Sequence, residues 1–176
     1  NVCSRFLFAL LVLVFCQSIA IAQITFTFTG YPTDGGSSVI TGDFNRDGLP
    51  DFATVSESNN QILIFTNKGG GNFSQTAVYT VNGATNVRTA DVNRDGKLDL
   101  IVNAGAALQV LLGNGDGSFH FGQKLALPHN PSSAYDLGDI EEDGYPDLVV
   151  EDCGNTQCKI NYYQNSHGNF GTGVSI

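Results

Sequence analysis

Three acidic segments of this 176-residue sequence carry side chains suited to binding a metal ion. They are residues 43–51, 91–99 and 139–147, and they recur at a constant interval of 48 residues. Each places an oxygen-bearing side chain at its first, third, fifth and ninth positions, and glycine at its sixth position allows a sharp turn. Oxygen ligands at this spacing allow a short loop to wrap around one hard cation such as Ca²⁺. The sequence therefore predicts up to three calcium sites.

The predicted ligands are the side chains at these four positions and the backbone carbonyl of the seventh residue. They are Asp43, Asn45, Asp47, Leu49 and Asp51, then Asp91, Asn93, Asp95, Lys97 and Asp99, then Asp139, Glu141, Asp143, Tyr145 and Asp147. Glu141 replaces the amide of the other two loops, so the third site is the most acidic. Without an ion the carboxylates of one loop repel each other, and a bound divalent cation would remove most of that cost.

An EF-hand is the competing interpretation of such acidic loops. That motif needs a bidentate Glu at the twelfth position and flanking helices. The twelfth residues here are Thr54, Val102 and Val150, which lie in apolar runs. We therefore expect non-EF-hand sites of low affinity, with dissociation constants on the order of 10⁻⁴ to 10⁻³ M.

Short apolar runs surround each acidic loop and predict β-strands. In the first repeat residues 52–55 and 62–65 follow the loop, and a glycine turn then leads to Phe73. The runs are three to five residues long, are bounded by Gly, Asn and Asp, and show no helical period. Several are apolar at consecutive positions, which indicates that both faces are covered. We predict an all-β fold, a β-propeller made of four-stranded blades.

The repeat accounts for nearly all of residues 23–176. About three blades are expected, at residues 37–82, 86–127 and 133–176, preceded by an orphan strand at 24–29. Because propellers typically have four to eight blades, three cannot close a ring. The sequence also has no initiator Met. We expect it to be an incomplete piece of a longer protein.

Residues 1–22 have the features of a secretory signal peptide. Arg5 supplies a positive charge, residues 6–15 are apolar and uncharged, and residues 20–22 form a small-x-small cleavage site before Gln23. A membrane anchor is the alternative, but the apolar run is shorter than the ~20 residues that a spanning helix needs. We expect a secreted or cell-surface protein without stable membrane insertion after cleavage.

The charge balance and the cysteines fit an extracellular cation-binding protein. The net charge is −9, and cleavage after residue 22 would make it −10 by removing Arg5. Such acidity argues against a nucleic-acid partner. Cleavage would also leave Cys153 and Cys158 as the remaining cysteines, which predicts a disulfide across a short turn, with two free thiols as the alternative.

The three loops, with the segment 110–119 downstream of the second, resemble the FG-GAP/VCBS repeat family and most closely its bacterial VCBS form. The resemblance covers nearly all of residues 23–176. It implies an integrin-alpha-like propeller, usually of seven blades, with calcium bound in loops between the first two strands of a blade. By this resemblance the metal ligands of the family correspond to the first, third, fifth and ninth residues of each loop. Glu141 departs from the Asp or Asn that the family usually has at the third position.

Two classes of function follow from these features. The first is a secreted calcium-binding module that acts in extracellular binding or adhesion, with a protein or a glycan as its partner and Ca²⁺ as a structural ion. The second is a propeller, catalytic or not, within a larger secreted hydrolase or lyase. Since the acidic residues already have a metal role, we expect no enzymatic activity. Tyr162 and Tyr163 could stack on a sugar, although strand packing is the preferred interpretation.

Overall fold

The computed structural model describes residue 30 and residues 36–128, 134–153 and 158–176. The predicted signal peptide and the orphan strand at 24–29 lie outside these residues. All the described strands belong to one compact unit, Pro32–Ile176. Among the described residues no helix has the length and apolar character required to cross a membrane.

The described chain forms three four-stranded antiparallel sheets, which we call the first, second and third blades. The first blade contains β1 (Gly36–Gly42), β2 (Asp51–Ser56), β3 (Gln61–Asn67) and β4 (Phe73–Thr80). The second contains β5 (Ala84–Ala90), β6 (Asp99–Ala104), β7 (Ala107–Gly113) and β8 (Phe119–Ala126). In both blades the strands are ordered as they occur in the sequence.

The third blade has a shorter outer strand. It contains β9 (Tyr135–Gly138), β10 (Asp147–Cys153), β11 (Cys158–Tyr163) and β14 (Val174–Ser175), and the pair β12 (Asn165–Ser166) and β13 (Asn169–Phe170) lies between β11 and β14 in the sequence. The prediction of an all-β fold made of four-stranded propeller blades is confirmed. The described strands form no closed sheet.

The hydrophobic core lies between blades. Ile62 and Ile64 of the first blade pack in one cluster with Leu100 and Val102 of the second. Ile101, between those two residues on β6, packs instead in a second cluster with the third blade. Because successive side chains of a strand point to opposite faces, the continuous apolar run of β6 serves both neighbours.

The second residue of each acidic loop also contributes to this packing. Phe44 is 2% exposed and Val92 is fully buried, because each inserts between its own blade and the next. The equivalent Ile140 of the third blade is 54% exposed. The packing of the core thus positions the first two acidic loops against the following blade.

Candidate metal centre

Each acidic segment is the loop that joins the first two strands of a blade. The three loops share one backbone conformation: the fourth residue of each is left-handed, with φ of 61° at Arg46, 58° at Arg94 and 58° at Glu142. The glycine at the sixth position has φ of 81° to 88° in all three loops. The common sequence pattern therefore produces a common loop geometry, and glycine meets its conformational requirement.

The side chains at the first, third and fifth positions turn into the first loop. Asp43 Oδ1 and Asn45 Oδ1 both accept a hydrogen bond from the backbone N–H of Asp47, at 3.1 and 3.0 Å. Asp43 Oδ2 accepts from Gly48 N at 2.9 Å, and Asp47 Oδ1 accepts from Leu49 N at 2.9 Å. Because Asp43 and Asn45 accept from the same N–H group, their side-chain oxygen atoms lie close together in the loop.

The second loop repeats this arrangement and adds a cation of its own. Asp91 and Asn93 both accept from the N–H of Asp95. The Lys97 ammonium lies 3.0 Å from Asp95 Oδ2, the oxygen that in the first loop accepts from the side-chain amide of Asn45. Lys97 therefore offsets part of the negative charge of its loop, an effect absent at Leu49 and Tyr145.

The ninth residue of each loop is a buried structural brace. Asp51, Asp99 and Asp147 are at most 1% exposed. One carboxylate oxygen of each Asp accepts a hydrogen bond from the backbone N–H of the second loop residue, at 2.9 to 3.0 Å. The other oxygen accepts at 2.8 Å from a backbone N–H near the end of the third strand of the same blade, at Asn67, Gly113 or Asn165. Burial raises the pKa of Asp99 to about 6 despite these bonds, and the negative charges of Asp95 and Asp91 add to the shift.

The third loop differs at Glu141. Asp139 accepts from the N–H groups of Asp143 and Gly144, as in the other loops. The longer Glu141 side chain instead extends to Gln164 and accepts a hydrogen bond from its Nε2. The structure thus brings together the first-, third- and fifth-position side chains of the first two loops, and it directs the third-position carboxylate of the third loop toward a neighbouring segment.

These donor sets fit a calcium ion in chemical terms. Every side chain that turns into a loop offers carboxylate or amide oxygen, and Ca²⁺ takes six to eight oxygen ligands in flexible geometry. No softer ligand, sulfur or imidazole, belongs to the three loops. The arrangement holds negative charge in place at three equivalent points on the blades.

Comparison with known proteins places this loop in a family. The model of the FG-GAP-like repeat matches residues 43–102 and 91–150, and each match begins at an acidic loop. The chain belongs to the FG-GAP-like repeat family. A search of curated proteins found no match.

A solved structure extends the likeness of this FG-GAP chain to the overall fold. It is a β-propeller lectin of Agrocybe aegerita, solved to explain its specific recognition of non-reducing terminal N-acetylglucosamine. The identity is 22% and the TM-score is 0.57. The match covers 78% of this chain but only 37% of the lectin chain, so this chain spans well under half the length of that protein. This likeness shows the fold.

Arg94 connects the second and third FG-GAP loops, a contact that the sequence analysis missed. Its Nη1 donates to the backbone carbonyl of Asp143 at 3.1 Å, and its guanidinium lies 5.1 Å from the centre of the Tyr145 ring. The φ of 88° at Gly144 favours glycine there, and a Cβ at that position would displace the end of the Arg94 side chain. The contact joins residues 49 positions apart, and a single sequence does not reveal which loops touch.

The two cysteines of the third blade lie outside the FG-GAP loops. Cys153 ends β10, Cys158 begins β11, and the two are paired in register and joined by a disulfide. With Glu151 they form a group of potential metal ligands, but the disulfide already uses both sulfurs. Residues 154–157, the turn between them, lie outside the described part of the chain.

Proposed function

We propose that this chain is part of a secreted, calcium-stabilised β-propeller module that binds an extracellular carbohydrate or protein and has no catalytic role. Membership in the FG-GAP-like repeat family and the likeness to a propeller lectin support a binding module of this kind. The predicted signal peptide supports secretion. Calcium acts as a structural ion, at up to three sites.

The observation that carries the calcium assignment is the equivalent geometry of the loops. The same positive-φ backbone and the same inward carboxylates recur at Asp43, Asp91 and Asp139, each of which accepts two backbone N–H groups. A surface turn needs one such side chain, and a second and third carboxylate beside it raise the free energy of the loop by repulsion. When bound, Ca²⁺ supplies the positive charge that offsets this repulsion.

Titration of the full chain with Ca²⁺ by calorimetry tests this assignment. We expect dissociation constants on the order of 10⁻⁴ to 10⁻³ M. Asp47→Asn should remove or weaken one site, whereas Glu57→Gln, an exposed acid outside the loops, should leave the titration unchanged. An unaltered titration in Asp47→Asn would exclude the first loop as a site.

Secretion has a separate test. Expression of the chain with an N-terminal extension that supplies the initiator Met should give a secreted product that begins at Gln23, as measured by mass spectrometry. A product that retains residues 1–22 in the secreted fraction would contradict the predicted cleavage.

A further inference from the structure

A cleft opens between the outer parts of the second and third blades. Its volume is about 530 Å³, within the usual range for small-molecule sites. Leu125 and Pro128 contribute to one side, and Asn161, Tyr163 and Thr172 to the other. We call this space the interblade cleft.

The corresponding place between the first and second blades holds the aromatic rings of Tyr79 and Phe121. The Tyr79 ring lies 6.0 Å from the ring of Phe119 and 6.3 Å from that of Phe121, edge-on to both. Tyr79 pairs with Ile62, and at the equivalent point of the next blade Leu125 pairs with Leu108. Leu125 therefore stands where the first blade has Tyr79.

The second ring is lost in the same way. Phe121 lies two residues after Phe119, and the third blade has Thr172 two residues after Phe170. Phe119 and Phe170 are equivalent because each pairs with the residue at or just after the end of the third strand of its blade, Gly113 or Asn165. Leu125 thus stands in place of Tyr79, and neither Thr172 nor Gly173, the residues around the position of Phe121, carries a ring.

The interface around the cleft is nevertheless firmly joined. In the first interface the hydroxyl of Tyr79 accepts from Phe119 N at 2.7 Å. In the second interface the Gln123 side chain replaces that contact: its Oε1 accepts from Phe170 N at 2.8 Å and its Nε2 donates to Phe170 O at 2.9 Å. The cleft therefore lies beside two hydrogen bonds, between the Gln123 side chain and the Phe170 backbone, that join the two blades.

The lining suits a neutral ligand with both polar and apolar faces. None of the described residues that line the cleft carries a charged side chain. Burial, together with the nearby negative charge of Asp152, raises the pKa of Tyr163, so its phenol stays neutral. Asn161 is fixed by a hydrogen bond from its Nδ2 to Asp152 Oδ2 at 3.1 Å. Amide and hydroxyl groups thus lie beside apolar surface from Leu125 and Pro128.

We propose that the interblade cleft binds a neutral sugar ring of a glycan. A pyranose combines hydroxyl groups, which the amide of Asn161 and the hydroxyl of Thr172 can bond, with C–H faces that pack on apolar side chains. The inference rests on the proposed function as a binding module, and it chooses carbohydrate over protein as the ligand. Its volume is that of a small-molecule site rather than of the broad surface that a protein–protein interface buries.

The experiment fills the cleft by copying the first interface. The full chain carrying Leu125→Tyr and Thr172→Phe is compared with the unaltered chain by saturation-transfer NMR and by titration with methyl glycosides of neutral hexoses and N-acetylhexosamines. Lys124→Tyr is the matched control, because it adds an aromatic ring on the same strand at an exposed residue that does not line the cleft. Thr172→Phe alone, at an exposed position, serves if the double variant fails to fold.

We expect the unaltered chain and Lys124→Tyr to bind at least one of these glycosides. Filling the cleft should weaken that binding at least 10-fold without changing the calcium titration. Absence of binding to every glycoside, or binding that survives the filled cleft, would overturn the proposal. In the latter case carbohydrate binding by the module would stand and only its location would be wrong. The calcium titration tests the structural-ion role independently.

Discussion

Replacing Asp99 with alanine should destabilise the protein even when no calcium is present. The Asp99 side chain is fully buried, and its two oxygens accept from Val92 N at 2.9 Å and from Gly113 N at 2.8 Å. Alanine would leave two buried backbone donors without an acceptor, at a cost of about 1 to 3 kcal/mol each. The expected loss is therefore about 2 to 6 kcal/mol, a large part of the 5 to 15 kcal/mol typical of a folded domain.

Urea denaturation of the full chain in the presence of EDTA measures this loss. EDTA keeps both the variant and the unaltered chain free of calcium. The difference in their free energies of unfolding then measures the hydrogen bonds of Asp99 without any contribution from a metal ion. Asp95→Asn is the matched control: it alters an exposed carboxylate of the same loop and should change the free energy of unfolding by less than about 1 kcal/mol. If Asp99→Ala stays within about 1 kcal/mol of the unaltered chain, the role of the ninth residue as a brace is refuted.

Three further predictions concern the loops and the disulfide. Lys97→Gln should raise the calcium affinity of the second loop several-fold in calorimetry, because the ammonium no longer competes for its carboxylates; unchanged affinity would contradict this. Arg94→Ala should weaken calcium binding by the third loop several-fold, since the backbone beside Tyr145 loses its support, and a titration identical to that of the unaltered chain would exclude this role. Reduction of Cys153–Cys158, five residues apart, should cost no more than about 2 kcal/mol in urea denaturation, and complete unfolding on reduction would show a larger role.

The fold was largely accessible from the sequence because the blades repeat. The period of 48 residues and the consecutive apolar residues of runs such as 100–102 indicate strands buried on both faces, and β6 shows why: Leu100 and Ile101 pack against different blades. The oxygen donors of the loops could also be named, because their spacing is local. Fold and family are confirmed, whereas calcium binding stays a prediction.

The contacts between blades could not be predicted from this one sequence. Arg94 reaches the next loop and Gln123 clamps Phe170, and both contacts join residues 47 to 49 positions apart. The spacing predicts the ninth Asp as a ligand, and this stays a prediction; its burial and its bonds to two segments depend on the packed blade. The contact of Glu141 with Gln164 also depends on the packed blade. The extra methylene of Glu lets its carboxylate reach out of the loop to this residue.

The stabilising role of calcium is tested most directly by thermal unfolding of the full chain in 10 mM CaCl₂ and in EDTA. At a tenfold excess over the dissociation constant, each site should contribute about 1.4 kcal/mol, or roughly 4 kcal/mol for three sites. For a chain of this size that corresponds to a rise in melting temperature on the order of 10 °C. We predict a rise of this order with calcium and little change with MgCl₂. Equal melting temperatures in CaCl₂ and EDTA would contradict the account.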